Sequence, residues 1–503
     1  MSFMSFASKI VASYVIRKRE KWVRQPVATQ KKTLDCLLKK GAATRFGEDH
    51  NFSEIRNYED FKKQVPLVDY EGLRPYIERI LQGERDVLWK GKPLYFAKTS
   101  GTTSGVKYIP ITKDSIHNHI DSARNMLLGY IHETGKADFL KGKLIFLSGS
   151  PVMDKKAGIF TGRLSGIVNH HVPQYLRRNQ MPSYTTNCIE DWEEKVDRIV
   201  EETHDKNMTL ISGIPPWVQM YFDRLMDKGG KKIKDLFPNF SLFIWGGVNF
   251  EPYRAKLRES IGKEIDTLET YPASEGFIAY QDTQTEEGLL LLLNEGIFYE
   301  FIPAEEYHDE NPTRISLEKV ELGRNYAIIL NSNAGLWGYS IGDTVRFVSK
   351  NPYRIVVTGR IKHFISAFGE HVIGEEVERA MQFAQKNCPE TELTEFTVAP
   401  NVTPKDGLPL HEWYVEFRTP PDDQKKFERL LNEEMCRQNV YYQDLIEGNI
   451  LRALKTFSLR EAGFRDYMKS IGKLGGQNKV PRLSNDRKIA DALQSFLLER
   501  EEK

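Results

Sequence analysis

The sequence has 503 residues, 40% of them hydrophobic and 28% charged. At about 150 residues per domain this is room for three domain-sized units, or for one large domain and a small one, with a sizeable core. Lys and Arg number 71 against 70 Asp and Glu, a net charge of +1, which excludes a nucleic-acid binder driven by bulk charge. The longest leucine run, Leu289–Leu293, is far short of the roughly 20 apolar residues of a membrane span. The N-terminus has no early basic region, and Ser13 and Tyr14 interrupt its apolar stretch, so no secretory signal is expected. Cys36, Cys188, Cys388 and Cys436 form no CxxC pair. That pattern predicts neither a disulfide framework nor a zinc site, and it fits the cytoplasm.

In chain order, Phe3, Phe6, Ile10 and Tyr14 recur at helical spacing ahead of Arg17-Lys18-Arg19. The first 40 or so residues therefore read as helical, packed on the main body, with membrane-surface association as the minor alternative. From about residue 94, short apolar runs alternate with amphipathic stretches. Leu144–Leu147, Met208–Ile211, Leu242–Trp245 and Tyr326–Leu330 read as buried strands. Trp192, Val196, Ile199 and Val200 mark one helix face, and Pro215-Pro216 opens another helix. The alternation predicts an α/β fold with a largely parallel sheet. Residues 289–301 and 315–331 are β-rich and suggest a smaller β subregion. Near Thr358-Gly359-Arg360 the pattern restarts. A strand at Phe364–Ala367, a helix from about Gly374, strands through Phe396/Val398 and Trp413/Val415/Phe417, and a helix with Phe427, Leu430 and Leu431 make a compact α+β unit. The expected organisation is one domain over 1–358 and a second over 359–503, joined by a hinge.

Four segments carry chemistry. Lys98-Thr99-Ser100-Gly101-Thr102-Thr103-Ser104-Gly105-Val106-Lys107 follows a strand. Glycines and small hydroxyl residues let a backbone wrap phosphate oxygens, and Lys107 adds charge. The spacing is not that of a Walker A loop. In Tyr271-Pro272-Ala273-Ser274-Glu275-Gly276, a carboxylate stands beside a glycine at a strand end, which suits Mg2+ bridging to phosphate. Tyr271 can stack on a base. In Tyr339-Ser340-Ile341-Gly342-Asp343, the aspartate can accept from both hydroxyls of a ribose. Gly359-Arg360, at the inferred boundary, suits a hinge that carries charge toward a phosphate. Each segment alone has an ordinary reading as a surface loop, a turn or a linker.

Together and in this order, the segments resemble the adenylate-forming enzymes, and within them the GH3 family of acyl acid amido synthetases. TSGTTSG is similar to the GH3 phosphate loop, Tyr271–Gly276 to its YxxSEG-type motif, and Tyr339–Phe347 to its YxxGDxVxF-type motif. Gln477–Arg482 resembles the QxKxPR tail. The resemblance runs from about residue 30 to 485. It implies a large N-terminal domain with mixed sheets and packed helices, and a mobile C-terminal domain. It implies a two-step ligase that uses ATP and Mg2+, joins a small carboxylic acid to an amine, typically an amino acid, and needs no nucleic acid or membrane. By resemblance, Ser100, Gly101, Thr102, Thr103 and Lys107 cradle the phosphates, Glu275 holds the metal and Ser274 meets the α-phosphate. Asp343 binds the ribose, Gly247, Val248 and Tyr271 meet the adenine, and Arg360 belongs to the nucleotide set. Lys479 matches the C-terminal catalytic lysine; its ordinary reading is a solvated loop residue. Where plant members carry Asp-Lys after the hinge, this chain has Glu370-His371, and Lys362 or His371 stand as substitutes. The chain lacks plant-specific insertions and resembles bacterial members more closely.

For the acyl pocket, Arg163, His170 and His171 in the stretch Gly158–Val172, with the helix around His117–Arg124, are the candidates. A structural role for the histidine pair is the common alternative. Two other functions share these motifs: a ligase with a thiol acceptor such as coenzyme A, and a nucleotide-binding protein without catalysis.

Overall fold

The computed structural model describes residues 3–102, 105–172, 177–247, 250–307, 309–361, 364–365, 367–370, 372–471 and 480–498. The chain clusters into two compact units. One comprises Met1–Thr99, Lys107–Glu190 and Lys195–Ile361; the other comprises Ser100–Val106, Asp191–Glu194 and Lys362–Lys503, in each case over their described residues.

The strands, numbered in chain order, begin with β1 (Tyr95–Thr102), β2 (Gly105–Ile111), β3 (Lys143–Phe146), β4 (Asp154–Lys156), β5 (Ile159–Gly162) and β6 (Gln180–Met181). They continue with β7 (Met208–Ser212), β8 (Leu242–Gly246), β9 (Asp266–Ala273), β10 (Gly276–Tyr280) and β11 (Leu289–Leu291). Then come β12 (Ile297–Pro303), β13 (Ile315–Ser316), β14 (Asn325–Ser332), β15 (Tyr339–Lys350) and β16 (Tyr353–Arg360). A four-stranded sheet has the order β2-β1-β5-β4, and a twelve-stranded sheet runs β13-β12-β14-β15-β16-β11-β10-β9-β8-β7-β3-β6.

The large sheet changes character part-way. β6, β3, β7, β8 and β9 pair in parallel. From β10 onward every pair is antiparallel. The sequence pattern predicts the parallel part and its helices, among them Trp192–Thr203 and Pro215–Gly229. The β-rich residues after 289 are not a separate subregion but the antiparallel half of the same sheet. The leucine run shows why. Leu289, Leu291 and Leu293 enter one core with Ile297 and Tyr299, while Leu290 and Leu292 enter another with Leu144 and Leu210. A strand covered on both faces reads as an unbroken apolar run, because alternation only appears when one face meets water.

The N-terminal residues form helices Phe3–Val23 and Pro26–Gly41. The expected apolar stripe faces the wrong way: Ile10 and Tyr14 are each 59% exposed, whereas Ala12 and Ile16 are buried. Small Ala12 allows close approach to the helix Ile116–Thr134, against Met126 and Tyr130.

A buried ion pair ties the helical layer to the antiparallel half. Glu300 on β12 is fully buried. Arg314 donates to its two oxygens through Nε at 3.0 Å and Nη2 at 2.7 Å, the Tyr58 hydroxyl donates at 2.9 Å and Asn331 Nδ2 at 2.9 Å. A buried carboxylate so paired is costly to disturb, because the guanidinium left behind stays desolvated.

The smaller unit carries β17 (Phe364–Ile365) and β18 (Val372–Ile373) as a short pair. Its main sheet is β19 (Glu392–Asn401), β20 (Leu410–Thr419) and β21 (Lys455–Ser458). Helices Gly374–Asn387 and Gln424–Gln438 match the α+β pattern of the sequence. Glu370 is fully buried in this unit. It accepts from the Phe368 amide at 2.7 Å and pairs with His411 Nε2 at 2.8 Å. Burial alone would raise the Glu370 carboxyl; His411 and the amides outweigh it and hold the group below the usual range.

Glu300→Ala is expected to cost about 3–5 kcal/mol of stability, read by denaturant unfolding. A loss below about 1 kcal/mol would contradict the role given to this pair.

Candidate active site

The parallel strands β3, β7, β8 and β9 all end on one edge, at Phe146, Ser212, Gly246 and Ala273. In open α/β sheets ligands bind outside these carboxyl ends. Small residues keep that edge open. A Cβ on Gly246 would lie 2.3 Å from the Thr270 carbonyl oxygen, so no side chain fits between β8 and β9. Gly247 follows at φ +81°, exposed, with nothing within 4 Å of a Cβ, a conformation that favours glycine.

β9 then reverses into β10 through the two residues Ser274 and Glu275, with Ala273 opposite Gly276. Both turn residues are half-buried. The turn is clamped from the helix Ile116–Thr134. Asn118, 2% exposed, accepts from the Phe277 amide at 2.6 Å and donates to the Phe277 carbonyl at 3.0 Å. A Cβ on Gly276 would meet Ile297 Cδ1 at 2.6 Å, so a side chain there would have to displace the end of the buried Ile297.

Two hydrogen bonds cross from this region to β15. The Tyr271 hydroxyl donates to Asp343 Oδ2 at 2.6 Å, both residues being less than a tenth exposed. The Tyr339 hydroxyl donates to Glu275 Oε1 at 3.3 Å. Burial, then the Glu275 charge, pushes the Tyr339 phenol well above its ordinary value, so it remains a neutral donor. β9 and β15 are four strands apart in the sheet order. At about 4.8 Å per strand a flat sheet would separate them by roughly 19 Å, more than a tyrosine and an aspartate span. The sheet therefore curls, and the curl brings Tyr271, Ser274, Glu275 and Asp343 into one neighbourhood. Asp343 lies inside β15 rather than ahead of it, and its register partner on β16 is Arg360.

The glycine- and hydroxyl-rich loop is built on strands. Ser100, Gly101 and Thr102 close β1, and β2 leads to Lys107. Lys107 Nζ sits over the Tyr70 ring, 5.6 Å from its centroid, and the Tyr70 hydroxyl accepts from the Tyr108 amide at 2.9 Å. Thr103, Val248, Lys362, His371 and Lys479 lie outside the described residues.

The histidine pair has local partners. His170 Nε2 meets the Pro151 carbonyl at 2.9 Å and His171 Nε2 meets the Tyr95 hydroxyl at 3.0 Å. Burial, then neighbouring His170 and Arg177, lowers the His171 pKa, which favours the neutral ring. Arg163 stands at the N-cap position of the helix Leu164–His170, without a side-chain capping bond. A Cβ on Gly149 would stand 2.9 Å from Arg163 Cδ and 3.2 Å from its Nη1, so the arginine lies across the turn after β3.

Among the described residues no group of three or more His, Cys, Asp or Glu could hold a metal ion. A lone carboxylate such as Glu275 fits only an ion that takes its remaining ligands from phosphate and water, which is the habit of Mg2+. The sequence pattern does not single out Asn118, although a polar residue beside a helix's apolar stripe is a usable signal. Tyr339 stands in the sequence only as the start of a motif, with no sign of its bond to Glu275.

A model of the GH3 family N-terminal domain matches residues 15–183 and 145–265; models of the family's central and C-terminal domains match 290–360 and 375–488. The chain belongs to the GH3 family. It is 24% identical to the jasmonoyl–L-amino acid synthetase JAR4 of Nicotiana attenuata, over 93% of each chain. It is 20% identical to the indole-3-acetic acid-amido synthetase GH3.3 of Arabidopsis thaliana, over 95% of this chain and 93% of that one. The solved structure of the acyl acid amido synthetase AtGH3.15 in complex with 2,4-DB matches at TM-score 0.60 and 17% identity, covering 97% of this chain and 96% of that one. A 2-hydroxyisobutyryl-CoA ligase in complex with 2-HIB-AMP and CoA matches at TM-score 0.59 and 13% identity, covering 94% and 92%. The fold of this GH3 chain is thus shared by enzymes with different acceptors, and fold alone does not choose between them.

Asn118→Ala would leave the Phe277 amide and carbonyl buried without this partner. The expected cost is about 2 kcal/mol or more, read by thermal unfolding. No change would show that the clamp does not hold the Glu275 turn.

Proposed function

We propose that the protein is an ATP-dependent acyl acid amido synthetase. In the first step an oxygen of the acid's carboxylate attacks the α-phosphorus of ATP, giving an acyl-adenylate and pyrophosphate. In the second an amine, typically that of an amino acid, attacks the acyl carbon; AMP leaves and the amine gives up a proton. The observation that carries this reading is the Ser274–Glu275 turn at the carboxyl edge of the parallel strands, held opposite Asp343, in a chain matched by all three GH3 domain models.

Each residue then has a task. The amides and hydroxyls of Ser100, Gly101, Thr102 and Thr103, with Lys107, receive the phosphates. Ser274 meets the α-phosphate. Asp343 already accepts from Tyr271 through Oδ2 and binds ribose hydroxyls with its remaining acceptor capacity. Gly247 leaves room for the adenine, which Val248 and Tyr271 would meet, Tyr271 being fixed by its bond to Asp343. A Mg2+ ion held by Glu275 and phosphate oxygens would neutralise charge on the triphosphate. Arg360 and Lys479 bring positive charge to the nucleotide, with residues 359–503 turning about the hinge as a mobile domain. Arg163, His170 and His171 border the acyl acid.

The work proceeds in a reducing compartment, the cytoplasm. All four cysteines are free, as that setting leads one to expect. Among the described residues no helix is long and apolar enough to cross a membrane.

The test is acid-dependent pyrophosphate release with ATP and Mg2+, over a panel of small carboxylic acids, with an amino-acid mixture or coenzyme A as acceptor. An amide product is expected, and a thioester in its place would redirect the acceptor. Glu275→Ala and Lys479→Ala should each lower adenylate formation at least ~10²-fold. Near wild-type rates would remove their roles.

A further inference from the structure

The outward face of the helix Phe3–Val23 is apolar along one part and cationic along the next. Its inner side holds the buried Ala12 and Ile16. On the outer side Ile10 and Tyr14 are each 59% exposed and Val11 is 48% exposed. Arg17, Lys18 and Lys21 are exposed as well. At 3.6 residues per turn these six fall within an arc of about 120°. A single exposed apolar residue is ordinary. Three large ones side by side, continued by three cations, form one surface with two chemistries.

Charge sets this end of the chain apart. Residues 1–34 hold eight Lys and Arg against one acid, Glu20, although the whole chain is balanced at +1. Glu20 lies off the arc and pairs with Arg24 at 3.3 Å. The residues ahead of Ser8 include Phe3, Met4 and Phe6 and no charged side chain. Lys18 Nζ stands over the Tyr14 ring, 4.5 Å from its centroid, so its stem runs along the apolar part while its charge stays at the surface.

The two chemistries narrow the choice of occupant. An antiparallel pairing with a second copy, centred on Ile10 and Tyr14, would set the cations of each helix against the uncharged start of the other. A nucleic acid would meet the cations but give Ile10 and Val11 no apolar phase. An anionic bilayer surface supplies both, with phosphates for the cations and acyl chains for the apolar side chains.

We propose that this face docks the protein on an anionic membrane surface. Ile10, Val11 and Tyr14 enter the boundary between headgroups and acyl chains, and Arg17, Lys18 and Lys21 meet lipid phosphates. The attachment is peripheral: the helix lies in the plane of the interface and does not span it. It does not depend on the amido synthetase reading.

The probe is a vesicle of phosphatidylcholine with about one-third phosphatidylglycerol, set against phosphatidylcholine alone. Co-sedimentation of the whole chain is the readout. Binding to the mixed vesicles is expected to be at least about tenfold tighter than to the neutral ones, and to weaken as salt rises. Arg17→Gln with Lys18→Gln should weaken it about tenfold or more, and Ile10→Ser with Tyr14→Ser should do the same. All four positions are exposed, so both double variants should melt with the wild type. Tyr14→Trp, which keeps an aromatic at the interface, tests the same contact without removing it: brominated acyl chains in the mixed vesicles should quench the added fluorescence. Equal binding to the two vesicles, a double variant that binds like the wild type, or an unquenched Tyr14→Trp would overturn the docking. A dimer that Ile10→Ser with Tyr14→Ser dissociates, without vesicle binding, would overturn it in favour of a second copy.

Discussion

The hydrogen bond from Tyr271 to Asp343 expresses the constraint on which the site depends. β9 is the last strand of the parallel half and β15 belongs to the antiparallel half. They come within hydrogen-bonding distance only because the sheet between them curls. Cores on both faces absorb alternate residues of the strands in between. The reversal at Ser274–Glu275 sits where the sheet changes from parallel to antiparallel. A carboxylate is thereby presented at the edge where open α/β sheets bind ligands. Asn118 holds the backbone of Phe277, two residues on, and Tyr339 holds the Glu275 side chain, so the carboxylate is positioned before any substrate arrives. That is the kind of preorganisation that electrostatic catalysis requires.

Much of this is legible in the sequence. Short apolar runs announce β3, β7, β8 and β14, and the motifs around Ser274, Glu275 and Asp343 announce chemistry. The sheet's continuity is not legible, because pairing between β11 and β16 joins residues more than 60 positions apart through side-chain packing. The orientation of the first helix is hidden for a related reason. Large apolar residues suggest the inner face, but close approach to a neighbouring helix selects Ala12 and leaves Ile10 and Tyr14 outside. Lys195 is invisible because a lysine in an amphipathic helix reads as solvated. Only the fold reveals that its ammonium turns inward to the Asn187 and Ser148 carbonyls.

The smaller unit shows how Glu370 can carry a structural load. Glu370 departs from the expected plant-type residue, and its carboxylate serves the unit itself through the Phe368 amide and His411. His411 on β20 is fixed by that anchor, and Asn439 adds a bond to the Glu370 carbonyl at 2.9 Å. With Glu370 occupied in this way, the charge that residues 359–503 deliver to the nucleotide in the proposed reaction comes from Arg360 and Lys479.

The central claim is that the acid is activated by attack on the α-phosphorus of ATP. Carboxylate doubly labelled with 18O tests it directly. Attack at that phosphorus predicts that one 18O from the acid appears in AMP and the other in the amide, read by mass spectrometry. Label in phosphate or pyrophosphate, or amide formed with unlabelled AMP, would contradict it.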